Sequence, residues 1–166
     1  MRIIDGLLAE LEQEAATTRR VLERIPQAHL SWKPHPKSMS LGQLALHVAT
    51  VPGNVAGLAA MDTIPEPPSF IQAEAATAAE LVPSLTESVA KAKRTLGGFD
   101  DARMGAMWRL QRGGKDILAM PRAAFVRAIM LKGATSSELF FDTVALACLM
   151  LVAMTIAVTR FRRTLD

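Results

Sequence analysis

The chain has 166 residues, of which 50% are hydrophobic and 21% charged. This size and composition fit one globular domain with a real core and exclude general disorder. Nineteen Lys and Arg against 16 Asp and Glu leave a net charge of +3, too little for a nucleic-acid footprint, so no nucleic-acid partner is expected. The single cysteine, Cys148, excludes an internal disulfide and a cysteine-based zinc site.

The first segment, MRIIDGLLAELEQEAATTRR, meets Asp5 almost at once and then Glu10, Glu12 and Glu14. No signal-peptide core fits there, so the expected location is cytoplasmic. The apolar spacing of Ile4, Leu8, Leu11, Ala15, Thr18, Leu22 and Ile25 predicts a helix over about residues 3–24, ended by Pro26. A loop with Trp32, Pro34, His35 and Pro36 follows, in which Trp32 is expected to anchor the loop against the core. Ser40 is a good N-cap for a second helix from about Leu41. Its apolar side is expected to carry Leu44, Val48, Val51, Val55 and Leu58, with a kink or break at Pro52-Gly53. The proline-rich stretch from Thr63 to Pro68 is expected to be a linker.

Thr77-x-x-Glu80 is a capping box for a third helix that runs to about Leu96 and ends at Gly97-Gly98. Its inward positions are Leu81, Leu85, Val89, Ala92 and Leu96. Residues 99–119 show no useful periodicity and are expected to be irregular, with Trp108 as a second loop anchor. Gln111-Arg112-Gly113-Gly114-Lys115 lacks the full phosphate-loop pattern and reads as a surface turn. Pro121 suits the first turn of a further helix bearing Phe125, Val126, Ile129 and Met130. With no alternating strand pattern, the expected fold class is all-α, an antiparallel four-helix bundle.

From Thr143 to Thr159 there are 17 consecutive uncharged residues. That length suits a buried helix or, at the lower limit, a membrane span. Arg160, Arg162 and Arg163 after the segment favour the buried helix. Membrane association through 143–159 stays open as the other reading. The chain therefore divides into a helical bundle region, 1–131, and an apolar C-terminal helix, 132–166, that completes the bundle or forms an anchor. Cys148 lies among apolar residues and is expected to be an inert core residue.

The candidate functional residue is His47. It follows Leu44 by three residues and precedes Val51 by four, so it is expected to face inward with them. An inward imidazole needs a hydrogen-bond partner or a metal. Taken alone, it is more often a satisfied core residue than a ligand.

The segment from Trp32 to Ala49, with Pro36-Lys37-Ser38-Met39-Ser40-Leu41-Gly42 leading into the His47 helix, resembles the DinB-like (damage-inducible) superfamily of four-helix bundles. Trp108 to Lys115 and Met120 to Phe125 are similar to that family's approach to its fourth helix. The resemblance implies a divalent metal, nickel or zinc, held by a histidine of the second helix and an H-x-x-x-H pair of the fourth. It implies activation of small thiols, hydrolysis or thiol-dependent transfer, and pairing into a homodimer.

On that resemblance His47 is the metal ligand of the second helix. The family's other two positions fall at Gly133 and Ser137 in an ungapped continuation, and no histidine follows His47. The implied metal site is therefore incomplete. Glu138 and Asp142 share a helical face and offer oxygen donors, although solvation of a helix start is the simpler role. Two accounts of the C-terminal segment stay open. It is a divergent end that fills the bundle, or the product of a reading frame altered after about residue 131. An H-x-x-x-H in a shifted frame just past Leu131 would support the second. The functional expectation is a metal-dependent hydrolase or thiol-dependent transferase with an incomplete site, and the alternative is a non-catalytic, dimeric or membrane-associated bundle.

Overall fold

Helix α1 (Ile3–Leu22) buries Ile4, Leu7, Leu11 and Leu22, at spacings of three, four and eleven, the last being about three turns. Arg2 and Asp5 close its first turn: the Arg2 backbone N–H and guanidinium both donate to the Asp5 carboxylate. These bonds, the side-chain one foremost, hold the Asp5 carboxyl below its ordinary range. The computed structural model describes residues 1–66 and 73–131, all within the first of two units into which the chain divides, Met1–Lys132. The expected C-terminal helix, with Gly133, Ser137, Thr143–Thr159 and Cys148, lies outside the described residues, as do Pro67 and Pro68.

Helix α2 (Leu41–Ala60) starts at Ser40, whose hydroxyl accepts from Gln43 N–H at 3.1 Å while Gln43 Oε1 accepts from Ser40 N–H at 2.9 Å. It runs through Pro52 without the expected interruption. Proline brings no N–H and leaves the helix short of donors at that turn. Helix α3 (Leu81–Gly97) repairs it from outside. Ser88 Oγ accepts from Gly53 N–H at 2.8 Å and donates to Thr50 O at 3.0 Å.

The expected apolar face of α2 is corrected as well. The buried residues are Gly42, Ala45, Ala49, Pro52, Gly53, Val55, Ala56 and Ala59. Leu44 and Val48 are exposed, at 45% and 41%. The small residues lie against α3 because they let the two backbones approach closely. A Cβ added at Gly53 would stand 3.1 Å from Ser88 O, so burial on α2 follows smallness more than hydrophobicity.

Three corrections concern strands, and the all-α expectation fails on them. The linker contains β1 (Thr63–Ile64). The supposedly irregular 99–119 holds a short helix α4 (Asp101–Gly105) and the hairpin β2 (Met107–Arg112) and β3 (Lys115–Pro121). The sheet order is β1-β2-β3, with β1 parallel and β3 antiparallel to β2. Gly113 and Gly114 turn the hairpin at φ +57° and +74°, the left-handed pair that a two-residue turn between twisted strands requires.

Pro121 then opens α5 (Arg122–Val126), which continues as a π turn over Arg127–Leu131. Trp108 is buried, stacked on Phe125 with centroids 3.8 Å apart, and its indole N–H donates to Leu58 O at 3.1 Å. Trp32, expected to do the same, is 57% exposed. The main core gathers Ile4, Leu7, Leu11, Ala56, Leu96, Met104, Trp108 and Phe125, and a second cluster joins Leu22, Ala45, Ala49, Leu81 and Leu85.

Candidate functional site

Helix α3 packs against both α1 and α2. Between α1 and α2 lies a cleft of about 400 Å³. Its walls are Leu11, Ala15 and Thr18 of α1 and His47, Val48, Val51 and Pro52 of α2, with Leu85 of α3 and Ile129 of the π turn. Glu14 completes the lining.

The side chain of His47 is on this cleft and half-buried. It does not enter the packed seam with α3, which the alanines occupy. Expected to face inward with Leu44 and Val51, His47 shares the cleft lining with Val51, whereas Leu44 is 45% exposed and is not part of that lining. Helical spacing sets the neighbours: Val48 and Val51 are one and four positions on, and Leu11, Glu14, Ala15 and Thr18 step along α1 by three, one and three. The sequence carries both rows, yet no rule of spacing says that they oppose each other across a gap.

The other two histidines take no part. His29 sits exposed in a 3-10 turn. His35 is exposed, and its Nδ1 accepts from Lys37 N–H at 3.1 Å. The segment Gln111–Lys115 is the tip of the β2–β3 hairpin, where Gly113 N–H donates to the Glu66 carboxylate at 3.0 Å. It is the surface turn that the residues suggested.

Glu14 and His47 are the metal-capable side chains of the cleft lining, the rest being apolar apart from Thr18. Among the described residues no group of three or more His, Cys, Asp or Glu is arranged to hold a metal ion. A zinc-type site needs at least three protein donors, so the described residues do not by themselves fit the metal that the family resemblance implies.

The sequence profile of the DinB superfamily matches residues 10–126. The chain belongs to the DinB superfamily. Among curated proteins none matches it. The match begins within α1 and ends at the last residue of α5. It therefore takes in both walls of the cleft in this DinB-superfamily protein, except for Ile129.

A second polar centre escaped the sequence reading. Arg122 is fully buried at the junction of β3 and α5. Its guanidinium donates to Arg103 O at 2.6 Å, to Met61 O at 3.4 Å and to the Asp62 carboxylate. Its Nε has no hydrogen-bond partner among the described residues. The Arg103 guanidinium lies 4.0 Å from the centroid of the Phe99 ring. The cluster ties the end of α2 to α4 and to the hairpin, and none of its residues is in the cleft lining. Its sequence signal was a lone arginine within Ala119-Met120-Pro121-Arg122-Ala123-Ala124-Phe125-Val126, an apolar stretch in which a charge must be partnered. Among the described residues no helix is long and apolar enough to cross a membrane.

Proposed function

We propose that the cleft between α1 and α2 is the functional site of this DinB-superfamily chain, and that it receives a small molecule at His47. One observation carries this reading. A half-buried imidazole borders a cleft of about 400 Å³ whose remaining walls are mostly apolar, the combination of hydrophobic lining and few polar groups that small-molecule sites share.

Family membership supports a finer version: a divalent-metal-dependent hydrolase or thiol-dependent transferase, with His47 as one ligand to nickel or zinc and a small thiol as co-substrate. That version needs a donor beyond Glu14 and His47. In either version His47 can accept a hydrogen bond or a proton from the bound molecule, and the apolar walls lower the water content around it.

The shortage of donors among the described residues favours a second reading, a non-catalytic bundle that keeps the fold and acts as a homodimer or at a membrane. Elemental analysis of the full chain beside His47→Ala separates the two. Stoichiometric metal that disappears in His47→Ala supports the metal-dependent version. Metal at trace level in both proteins removes it, and light scattering on the same samples then tests the dimer.

A further inference from the structure

The charge pattern of the cleft points to the kind of molecule it takes. Three acidic residues stand close together on α1: Glu10, Glu12 and Glu14. Glu10 is paired with Arg127 at 2.7 Å, and Glu12 with Lys93. Glu14 has no ion-pair partner among the described residues, and it is the one of the three that lines the cleft. The neighbouring cations of α1 are engaged elsewhere. Arg19 donates to Thr86 Oγ1 at 2.7 Å and Arg20 to Thr17 Oγ1 at 3.2 Å.

Among the described residues no Lys or Arg lines the cleft. Its polar groups are Glu14, Thr18 and His47, and each can accept a hydrogen bond: a carboxylate, a hydroxyl and a neutral imidazole. The remaining lining residues are apolar. A ligand that complements this set carries a positive charge, offers donors and has a hydrocarbon body. A primary ammonium has three N–H donors and no acceptor. Glu14 is exposed at the edge of the cleft, so its attraction for a cation is modest and adds to the apolar contact of the ligand body. An anionic ligand would meet Glu14 with no Lys or Arg among the described lining residues to offset the repulsion.

We infer that the cleft selects an amphipathic amine, with Glu14 as its counter-ion, Thr18 and His47 as further acceptors, and its alkyl or aryl body against Leu11, Val51 and Leu85. This rests on the reading of the cleft as a small-molecule site, and the test separates the two.

The probes are n-hexylammonium, n-hexanol and n-hexanoate. Each is titrated at pH 8 into the full chain and into Glu14→Gln, with the His47 imidazole followed by NMR and heats by calorimetry. Hexylammonium should bind about three- to fivefold tighter than hexanol, with hexanoate weakest. Glu14→Gln should remove that advantage and leave hexanol binding unchanged, which also shows that the variant is folded. Equal binding of hexylammonium and hexanol, or tighter binding of hexanoate, overturns the charge selection while leaving the cleft a site. If none of the three moves the His47 signals or releases heat, the reading of the cleft as a site fails as well.

Discussion

Ser88 Oγ sits 2.8 Å from the backbone nitrogen of Gly53 and accepts its hydrogen bond inside the α2–α3 seam. Pro52 would otherwise leave this turn of α2 under-bonded in an apolar environment. Ser88→Ala strands the Gly53 N–H and should cost about 1–3 kcal/mol in urea unfolding. Gly53→Ala gains helix propensity of about 1 kcal/mol. It also drives a Cβ to 3.1 Å from Ser88 O and Oγ, and overpacking of this kind costs about 1–3 kcal/mol. The net effect should be a loss. Gly57, on the same helix, has nothing within 4 Å of an added Cβ, and Gly57→Ala should stabilise by about 0.5–1 kcal/mol. A stabilised Gly53→Ala would show that the seam is looser than the structure has it.

Arg122 and Asp62 are unequal partners. The Arg122 side chain is fully buried, whereas that of Asp62 is 85% exposed. Asp62→Asn keeps an oxygen acceptor but removes the counter-ion of a fully buried guanidinium, which is left with two carbonyl acceptors, so it should cost about 1–3 kcal/mol. Arg122→Ala opens a cavity and strands the carbonyls of Arg103 and Met61, and should cost about 3–5 kcal/mol. Thermal unfolding of both variants checks the ratio, and equal losses would contradict the one-sided burial.

Trp108 and Phe125 stack at 3.8 Å with ring planes 16° apart, joining the hairpin to α5. Phe125→Ala should cost about 3–5 kcal/mol. It should also red-shift the Trp108 emission, measured in a Trp32→Phe background so that the exposed indole does not contribute. In the same background acrylamide should quench Trp108 poorly, and in Trp108→Phe it should quench Trp32 well.

Asp5 provides a pH-dependent contact at the start of α1. The hydrogen bonds from Arg2 lower its pKa below the ordinary value of 3.8. A depressed folded value means that the stabilising contribution is fully present above the unfolded pKa. It is lost as pH falls from there through the lower folded value. Unfolding midpoints should therefore drop below about pH 4 in the wild type, and less in Asp5→Asn. Because the pair is on the surface, added salt should shrink the difference.

The helices were legible because burial here repeats with the turn. Ile4, Leu11 and Leu22 on α1, and Leu81, Leu85, Ala92 and Leu96 on α3, are both periodic and buried, and the cap at Ser40 sits where its side-chain chemistry places it, whereas Thr77 precedes a 3-10 turn, Ala78–Glu80, ahead of α3. The hairpin was not, although Gly113-Gly114 between two short runs is a recognised turn signal. Asp101 to Lys115 offers no alternation strong enough to compete with its helical neighbours. Along β3 only Met120 is even partly buried, so there was no apolar face to detect.

By itself the sequence determined the long helices, the cap at Ser40, the DinB resemblance and His47 as the residue to watch, because each depends on neighbours within about a turn of helix or on a short motif. Tertiary structure alone decided which face of α2 is buried, that Ser88 mends the helix at Pro52, that Arg122 is enclosed, and that Glu14 meets His47 across a cleft. Those outcomes depend on how closely two backbones approach, and that distance is set jointly by residues far apart in the chain.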